Sequence, residues 1–331
     1  MDSLPDPDDF SRFDDFTILT STYKIVADHP IKTDVLIPKT LTSSSSSTAS
    51  NKQCPVILRY HGGGLITGSS LYPGFFQPWL MELAARHSAL IVSPNYRLTP
   101  EASVEDLLED IEDHWTWLHR ELPGFVEQET GGRVKVDTGR ILAAGDSAGG
   151  YLSIMIGLSH ADKIRAVTAA YPMIDIADDH FKKGPEKPTF GLSLPRSVAD
   201  EHYENIRKGE VPSIISEDPR LERGALMFAA IQHRVFGKLF PLEKRHLFPL
   251  ERLKDGAKFP RGGVFVWQGE QDSVVPAKGS VKLEEVVREL SPELRFRLEV
   301  REGEHGFDHD AKIDDEWMKD GLSGPVKAWL E

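Results

Sequence analysis

Ser147 stands between glycines in Gly145-Asp146-Ser147-Ala148-Gly149-Gly150, directly after the apolar run 141–144. A serine in this G-x-S-x-G pattern sits on a sharp turn between a strand and a helix, with its hydroxyl exposed as a nucleophile. Upstream, His61-Gly62-Gly63-Gly64 closes a second apolar run, 56–60. Glycines there leave backbone N–H groups uncovered, and such groups can hold the negative charge that attack on a carbonyl creates. A serine hydroxyl needs a base to take its proton. The base needs a third group to fix its tautomer and stabilise its charge. With this type of turn the partners follow along the chain as an acid and then a histidine. Asp272, after the run 264–267, and His305, after the run 294–300, keep that order and sit just past strand-like segments. Glu270 is a rival acid two residues from Asp272. His309 and Asp310 stand close enough in sequence to His305 for a small metal cluster, but no third ligand pattern or His-Glu-x-x-His helix accompanies them, so no metal is expected.

These side chains need elements to hold them. Segments 16–19 and 31–37 read as strands, the second by its period-two alternation. Residues 42–50 are almost entirely Ser and Thr, which suits a flexible surface hairpin loop. Short apolar strands are then expected at 56–60, 89–92, 141–144, 166–170, 264–267 and 294–300. Cys54 reads as a strand-entry residue before Pro55. Helices are expected at 76–86 and 104–119, the latter with Leu107, Leu108, Ile111, Trp115 and Leu118 at helical spacing. Strands alternating with helices imply an α/β fold whose mostly parallel sheet is covered on both faces. Sites in such sheets form beyond the carboxyl ends of the strands, where every motif named here falls. Residues 175–255 break the rhythm: they are rich in Pro, Lys, Arg and Glu, with helical stretches at 198–207 and 221–240. The expected division is therefore N-terminal strands at 1–50 that also contribute to a cap, a first core part at 51–174, an inserted helical cap at 175–255, and a second core part at 256–331.

Composition narrows the partners. The formal charge of −13 repels phosphate backbones and anionic lipid, so neither a nucleic acid nor a membrane surface is an expected partner. The single cysteine rules out an internal disulfide, which fits a reducing compartment. The acidic N-terminus lacks the basic start and apolar stretch of a signal peptide, and no run approaches about 18 apolar residues. A cytoplasmic protein without a membrane span is expected, with a homodimer as a candidate assembly.

The chain resembles the α/β-hydrolases of the hormone-sensitive-lipase-like branch. The resemblance rests on His61-Gly62-Gly63-Gly64 and Gly145-Asp146-Ser147-Ala148-Gly149-Gly150, and on Asn95-Tyr96-Arg97-Leu98-Thr99-Pro100-Glu101, which has Asn and Thr where the branch has Asp and Ala. Tyr171-Pro172, Gly269-x-x-Asp272-x-x-Val275-Pro276 and His305-Gly306-Phe307 also match. It covers roughly residues 55–175 and 260–325; the first 50 residues and the cap match no motif. It implies a serine esterase without cofactor or metal. Carried over by position, Ser147 attacks the acyl carbon, His305 moves the proton and Asp272 orients His305. Gly63, Gly64 and Ala148 supply the oxyanion N–H groups, His61 braces the glycine loop, and Arg97 and Glu101 form a buried ion pair. Leu65, Tyr72, Phe75 and Phe76, with Leu71 and Trp79 beside them, are candidates to line a substrate pocket or to fill core. Met227, Phe228 and Phe236 are cap candidates.

The expected activity is hydrolysis, through an acyl-enzyme, of a small or medium apolar ester or lactone of secondary metabolism. The same residues also suit acyl transfer, amide or carbon–carbon bond hydrolysis, or cyclisation. The scaffold also suits a small-ligand receptor, as in plant gibberellin receptors, although those have lost the histidine that is present here.

Overall fold

The structure is a computed structural model that describes residues 6–43, 53–185 and 188–331. The Ser/Thr-rich stretch lies outside the described residues from 44 onward. Eight strands form one sheet: β1 (Phe16–Val26), β2 (His29–Pro38), β3 (Cys54–Tyr60), β4 (Leu90–Pro94), β5 (Val136–Gly145), β6 (Ile164–Ala170), β7 (Val264–Gly269) and β8 (Phe296–Arg301). Their spatial order is β1-β2-β4-β3-β5-β6-β7-β8. The β1–β2 hairpin joins β4 antiparallel, and every later pairing is parallel.

Alternation along each central strand explains why helices cover both faces. In β3, Val56 and Leu58 face one apolar cluster and Ile57 faces the other; β5 divides Ile141 and Ala143 from Leu142 and Ala144 in the same way. In β7, Val264 and Val266 pack on the first face, Phe265 and Trp267 on the second. On the first face lie α2 (Val104–Arg120), closed at its start by a Ser103–Asp106 capping box, and α4 (Ala148–Ser159), whose residues 148–158 are all buried. The second face carries α1 (Pro78–His87) and the C-terminal α9 (Glu316–Leu330). Helix α3 (Leu122–Glu129) follows α2 and was not foreseen; Pro123 at its second position marks a new start.

The chain runs from β3 out to β4 and then returns to the other side of β3 as β5. Successive connections therefore diverge between β3 and β5, and the carboxyl ends of these two strands are where a site is expected in such a sheet. The glycine loop follows β3, and Ser147 follows β5. The excursion between β6 and β7 holds α5 (Ser197–Lys208), α6 (Gly224–Gln232) and α7 (Pro249–Lys254). The expected helix at 221–240 is in fact α6 followed by a short 3-10 turn, Phe236–Leu239. β1 and β2 extend the main sheet; the N-terminal region reaches the excursion through His29–Ser216 (2.9 Å) and Arg220–Asp8 (2.5 Å). The last elements are α8 (Lys278–Leu290), which precedes β8, and α9.

Candidate active site

Ser147 is the residue before α4 and has φ +54° and ψ −115°, a conformation that non-glycine residues rarely adopt. Such strain costs on the order of 1–3 kcal/mol and persists where its surroundings over-determine it. Here the surroundings are backbone. A Cβ on Gly145 would lie 2.1 Å from the Gly149 carbonyl oxygen, and one on Gly149 would lie 2.1 Å from that of Tyr60. The glycine spacing thus reflects the close approach of α4 to β3 and β5. Ser147 N–H donates to Ala170 O (2.9 Å), and its own carbonyl accepts from Met173 (3.3 Å). Asp146 forms a buried ion pair with Arg59 (2.9 Å), whose guanidinium also donates to Phe75 O (2.6 Å) and lies over the Phe76 ring at 4.2 Å. Burial pushes the Asp146 carboxyl up and the Arg59 guanidinium down, and their mutual attraction opposes both shifts.

The glycine loop meets the elbow from β3. A Cβ on Gly62 would fall 2.4 Å from Asp146 Oδ2. Gly63, Gly64 and Leu65 follow with φ of +99°, +61° and +62°, and Gly63 O accepts from Ile66 and Thr67 (3.0 Å each). His61 does brace this loop. Its ring stacks on Tyr96 at 4.3 Å, and its Nδ1–H donates to Gly62 O (2.8 Å). Tyr96 O–H donates to His61 O (2.8 Å). Burial lowers the imidazole to about 3, so it is neutral at ordinary pH. Ala148, the first residue of α4, has an N–H with no acceptor inside its own helix.

Asp272 and His305 are in direct contact. His305 Nδ1 lies 2.7 Å from Asp272 Oδ2. Gln268 Nε2 donates to the same oxygen (2.7 Å), while Val274 and Val275 N–H donate to Oδ1 (2.9 and 2.8 Å). Ser280 Oγ donates to Gln268 Oε1 (2.9 Å), which fixes the orientation of that amide. Four donors therefore surround the carboxylate and hold it still. The acid loop and the histidine loop are also bonded to each other: Glu304 Oε2 accepts from Ser273 N–H (2.9 Å) and Oγ–H (3.0 Å), and Gln271 Oε1 accepts from Gly303 N–H (2.6 Å).

Tyr171 connects this pair to the elbow. It follows Ala170, the acceptor for Ser147 N–H, and its ring centroid is 4.5 Å from that of His305. Behind it, Asp308 accepts from Trp267 Nε1 (2.8 Å); burial raises this carboxyl to about 6.

The other sequence candidates are distributed as follows. Glu270 is exposed and bonds to Gln271 (3.2 Å), away from His305. His309 and Asp310 pair with each other on the surface at 2.9 Å, and no group of three or more metal-ligating side chains occurs among the described residues. The expected Arg97–Glu101 ion pair is wrong. Arg97 forks onto Asp110 (2.8 Å) and reaches Asp106 (3.0 Å), because α2 presents those carboxylates to it. Glu101 binds Arg223 (2.6 Å) and His202 (2.7 Å) from the excursion. Phe76 is fully buried against Phe13 (4.9 Å) under Arg59, and Trp79 packs on Trp267 (5.3 Å), so both belong to the core. Leu65 is also buried, and its carbonyl accepts from Thr99 N–H (2.7 Å). Tyr72 and Phe75 pack edge to face at 4.7 Å, beside partly buried Leu71. Met227 sits on the glycine loop: a Cβ on Gly64 would lie 2.8 Å from its Cγ, with Phe236 at 3.8 Å. Phe228 packs on Phe190 (5.9 Å), whose ring is 6.4 Å from that of His305. Sequence reasoning missed Arg59, Phe190, and the Ser273–Glu304 bond. Arg59 had a signal, as a lone charge within an apolar strand; the others had none.

Comparison with known proteins bears on the family and the fold. Residues 57–206 match the family model described as alpha/beta hydrolase fold. A probable carboxylesterase, M8, of Phoma sp. is 31% identical over 333 residues, covering 96% of this chain and 98% of that protein. A non-reducing polyketide synthase, Preu6, of Preussia isomera is 25% identical over 333 residues, which are 93% of this chain and 14% of the synthase. Among solved structures, carboxyl esterase 2 of the mycorrhizal fungus Tuber melanosporum superposes with a TM-score of 0.55 at 21% identity, over 96% of this chain and 86% of that one, a likeness of fold. No helix among the described residues is long and apolar enough to cross a membrane. The chain belongs to the α/β-hydrolase fold family and is a carboxylesterase-like serine hydrolase.

Proposed function

We propose that this enzyme hydrolyses a small or medium apolar carboxylic ester through an acyl-enzyme on Ser147. Ser147 Oγ bonds to the acyl carbon as its proton passes to His305 Nε2. The oxyanion that forms is held by the N–H groups of Gly63, Gly64 and Ala148, and the positive end of α4 points at the same oxygen. The bond to the alcohol oxygen breaks as His305 returns the proton to it. Water then bonds to the acyl carbon as its proton passes to His305 Nε2, and the bond to Ser147 Oγ breaks as His305 gives that proton to Oγ, releasing the acid. Asp272 holds His305 in the tautomer whose Nε2 can accept, and stabilises the imidazolium. The hydrogen bond from Ser147 to His305 is the element this proposal adds to the geometry.

The observation that carries the reading is the 2.7 Å His305–Asp272 bond, on loops packed against the residue that follows the Ser147 acceptor. We assign residues 175–255 as a cap, on the support of Met227 over Gly64 and Phe190 facing His305. The likeness to part of a polyketide synthase supports a substrate from secondary metabolism. It also gives weight to a second outcome, in which an alcohol in place of water takes the acyl group; product analysis with and without such an acceptor separates the two. The test of the serine itself is a fluorophosphonate probe. Peptide mapping is expected to find the adduct on Ser147, and labelling should collapse in His305→Ala. An adduct elsewhere, or undiminished labelling without His305, would remove the mechanism.

A further inference from the structure

We infer that Phe190 selects the alcohol half of the ester, favouring flat, apolar alcohols such as phenols, and that the Ser273–Glu304 bond is what positions it. The inference rests on the relay proposed above. His305 Nδ1 is committed to Asp272, so the edge that returns a proton to the departing alcohol is the Nε2 edge. The alcohol half must therefore lie beside this ring. Two aromatic side chains face it from other elements. Tyr171 is buried to 3% exposure and belongs to the core; Phe190 is only half-buried and comes from the inserted segment. Its ring stands at 64° to the His305 ring and is backed edge to face by Phe228 at 85°. A wall of two crossed phenyl rings suits a flat apolar group better than a charged or branched one.

Phe190 does not occupy this place by default. Its φ is +50°, in the left-handed region, within a tight turn closed by Leu192 N–H onto Thr189 O (2.9 Å). A residue this bulky keeps such a conformation only where other contacts enforce it. Gln232 Nε2 holds the far side of the turn through Leu192 O (2.9 Å), and the contact at Phe190 itself is Ser273 Oγ, which accepts from Phe190 N–H (2.9 Å) and donates to Glu304 Oε2 (3.0 Å). Glu304 precedes His305, and its carboxylate also accepts from His305 N–H (3.3 Å). One hydroxyl thus joins the cap turn to the loop after Asp272 and to the loop of His305. The position of the Phe190 ring is coupled to that of the imidazole through two hydrogen bonds.

The test compares two ester series on the full chain. In one, the acyl group stays acetyl and the alcohol changes from ethanol to phenol to 1-naphthol. In the other, the alcohol stays p-nitrophenol and the acyl chain grows from acetyl to hexanoyl. Phe190→Ala is expected to lower the aryl-to-ethyl ratio of kcat/KM about tenfold, chiefly through KM, and to leave the acyl ranking unchanged. Phe190→Leu, which keeps apolar bulk, should fall between. Ser273→Ala should shift the ratio in the same direction, by about threefold, and Ser273→Thr should restore it. An aryl-to-ethyl ratio that keeps its wild-type value in a folded Phe190→Ala or Phe190→Leu enzyme overturns the assignment, as does a change confined to the acyl series. A change in ratio that Ser273→Ala fails to reproduce removes the positioning half. If the wild type takes no fluorophosphonate at Ser147, the hydrolytic reading itself has failed; labelled Ser147 with an unmoved ratio removes only this inference.

Discussion

The elbow of Ser147 is shaped by side chains that are missing, whereas the junction of Asp272 and His305 is shaped by side chains that are present. At the elbow, Gly62, Gly145 and Gly149 let three segments approach until any Cβ would overlap a neighbour's oxygen. At the junction, Gln268, Ser280, Ser273 and Glu304 tie two loops with directed hydrogen bonds. Steric construction of the first kind tolerates no addition. Hydrogen-bonded construction of the second kind can lose one member and keep its fold. The two halves should therefore fail differently when altered.

The largest effect on the fold is expected at the elbow. Gly149→Ala places a methyl 2.1 Å from the Tyr60 carbonyl oxygen, so β3 or α4 must move. A cost of about 3 kcal/mol or more follows. The thermal midpoint should drop by roughly 5–10 °C, and activity should fall with it. A variant with wild-type melting and turnover would show that the close approach does not shape the site. Next comes Asp272→Asn. The fold should persist, since an amide fills the same space, but the side chain presents the wrong partner to Nδ1. Turnover of p-nitrophenyl acetate should drop on the order of 10³–10⁴-fold with little change in melting. A loss below about tenfold would separate the acid from the relay.

The smallest effect concerns Asp308, buried behind Tyr171. Its carboxyl holds a proton up to about 6 in the folded protein, against an ordinary value of 3.8. Between those values the folded state binds more protons than the unfolded one, so stability falls as pH rises through the window. Asp308→Asn should flatten the decline in urea midpoint between about pH 4 and pH 6. An unchanged slope would mean that another group carries it.

The contrast between the two halves also explains what could be read from the sequence. Close approach of backbone demands glycine at fixed spacing, so the elbow and the glycine loop were legible as local motifs. The strand pattern was legible for the same reason, because alternation is a local property. Asp272 and His305 were expected together from their order and from their places after strands, and their side chains meet at 2.7 Å. Arg97 and Glu101 were correctly expected to be buried and paired, yet their partners came from α2 and from the excursion. Spacing says nothing about such long-range pairing. The same holds for Phe190 and Ser273, which are 83 residues apart and meet only in the fold. Aromatic residues after the glycine loop were ambiguous between pocket and core, and the partners that decide the matter for Phe76 and Trp79 are Phe13, Arg59 and Trp267.

Everything above depends on Ser147 and His305 acting as one unit, and a double-mutant comparison reads that unity outright. Turnover of p-nitrophenyl acetate should be measured for Ser147→Ala, His305→Ala and the double variant, with melting checked in each. A single relay requires all three to fall to about the same residual rate, because the second substitution removes nothing that the first has left. If the two losses instead multiply, or if either single variant turns over like the wild type, the two side chains do not share the work and the relay does not exist.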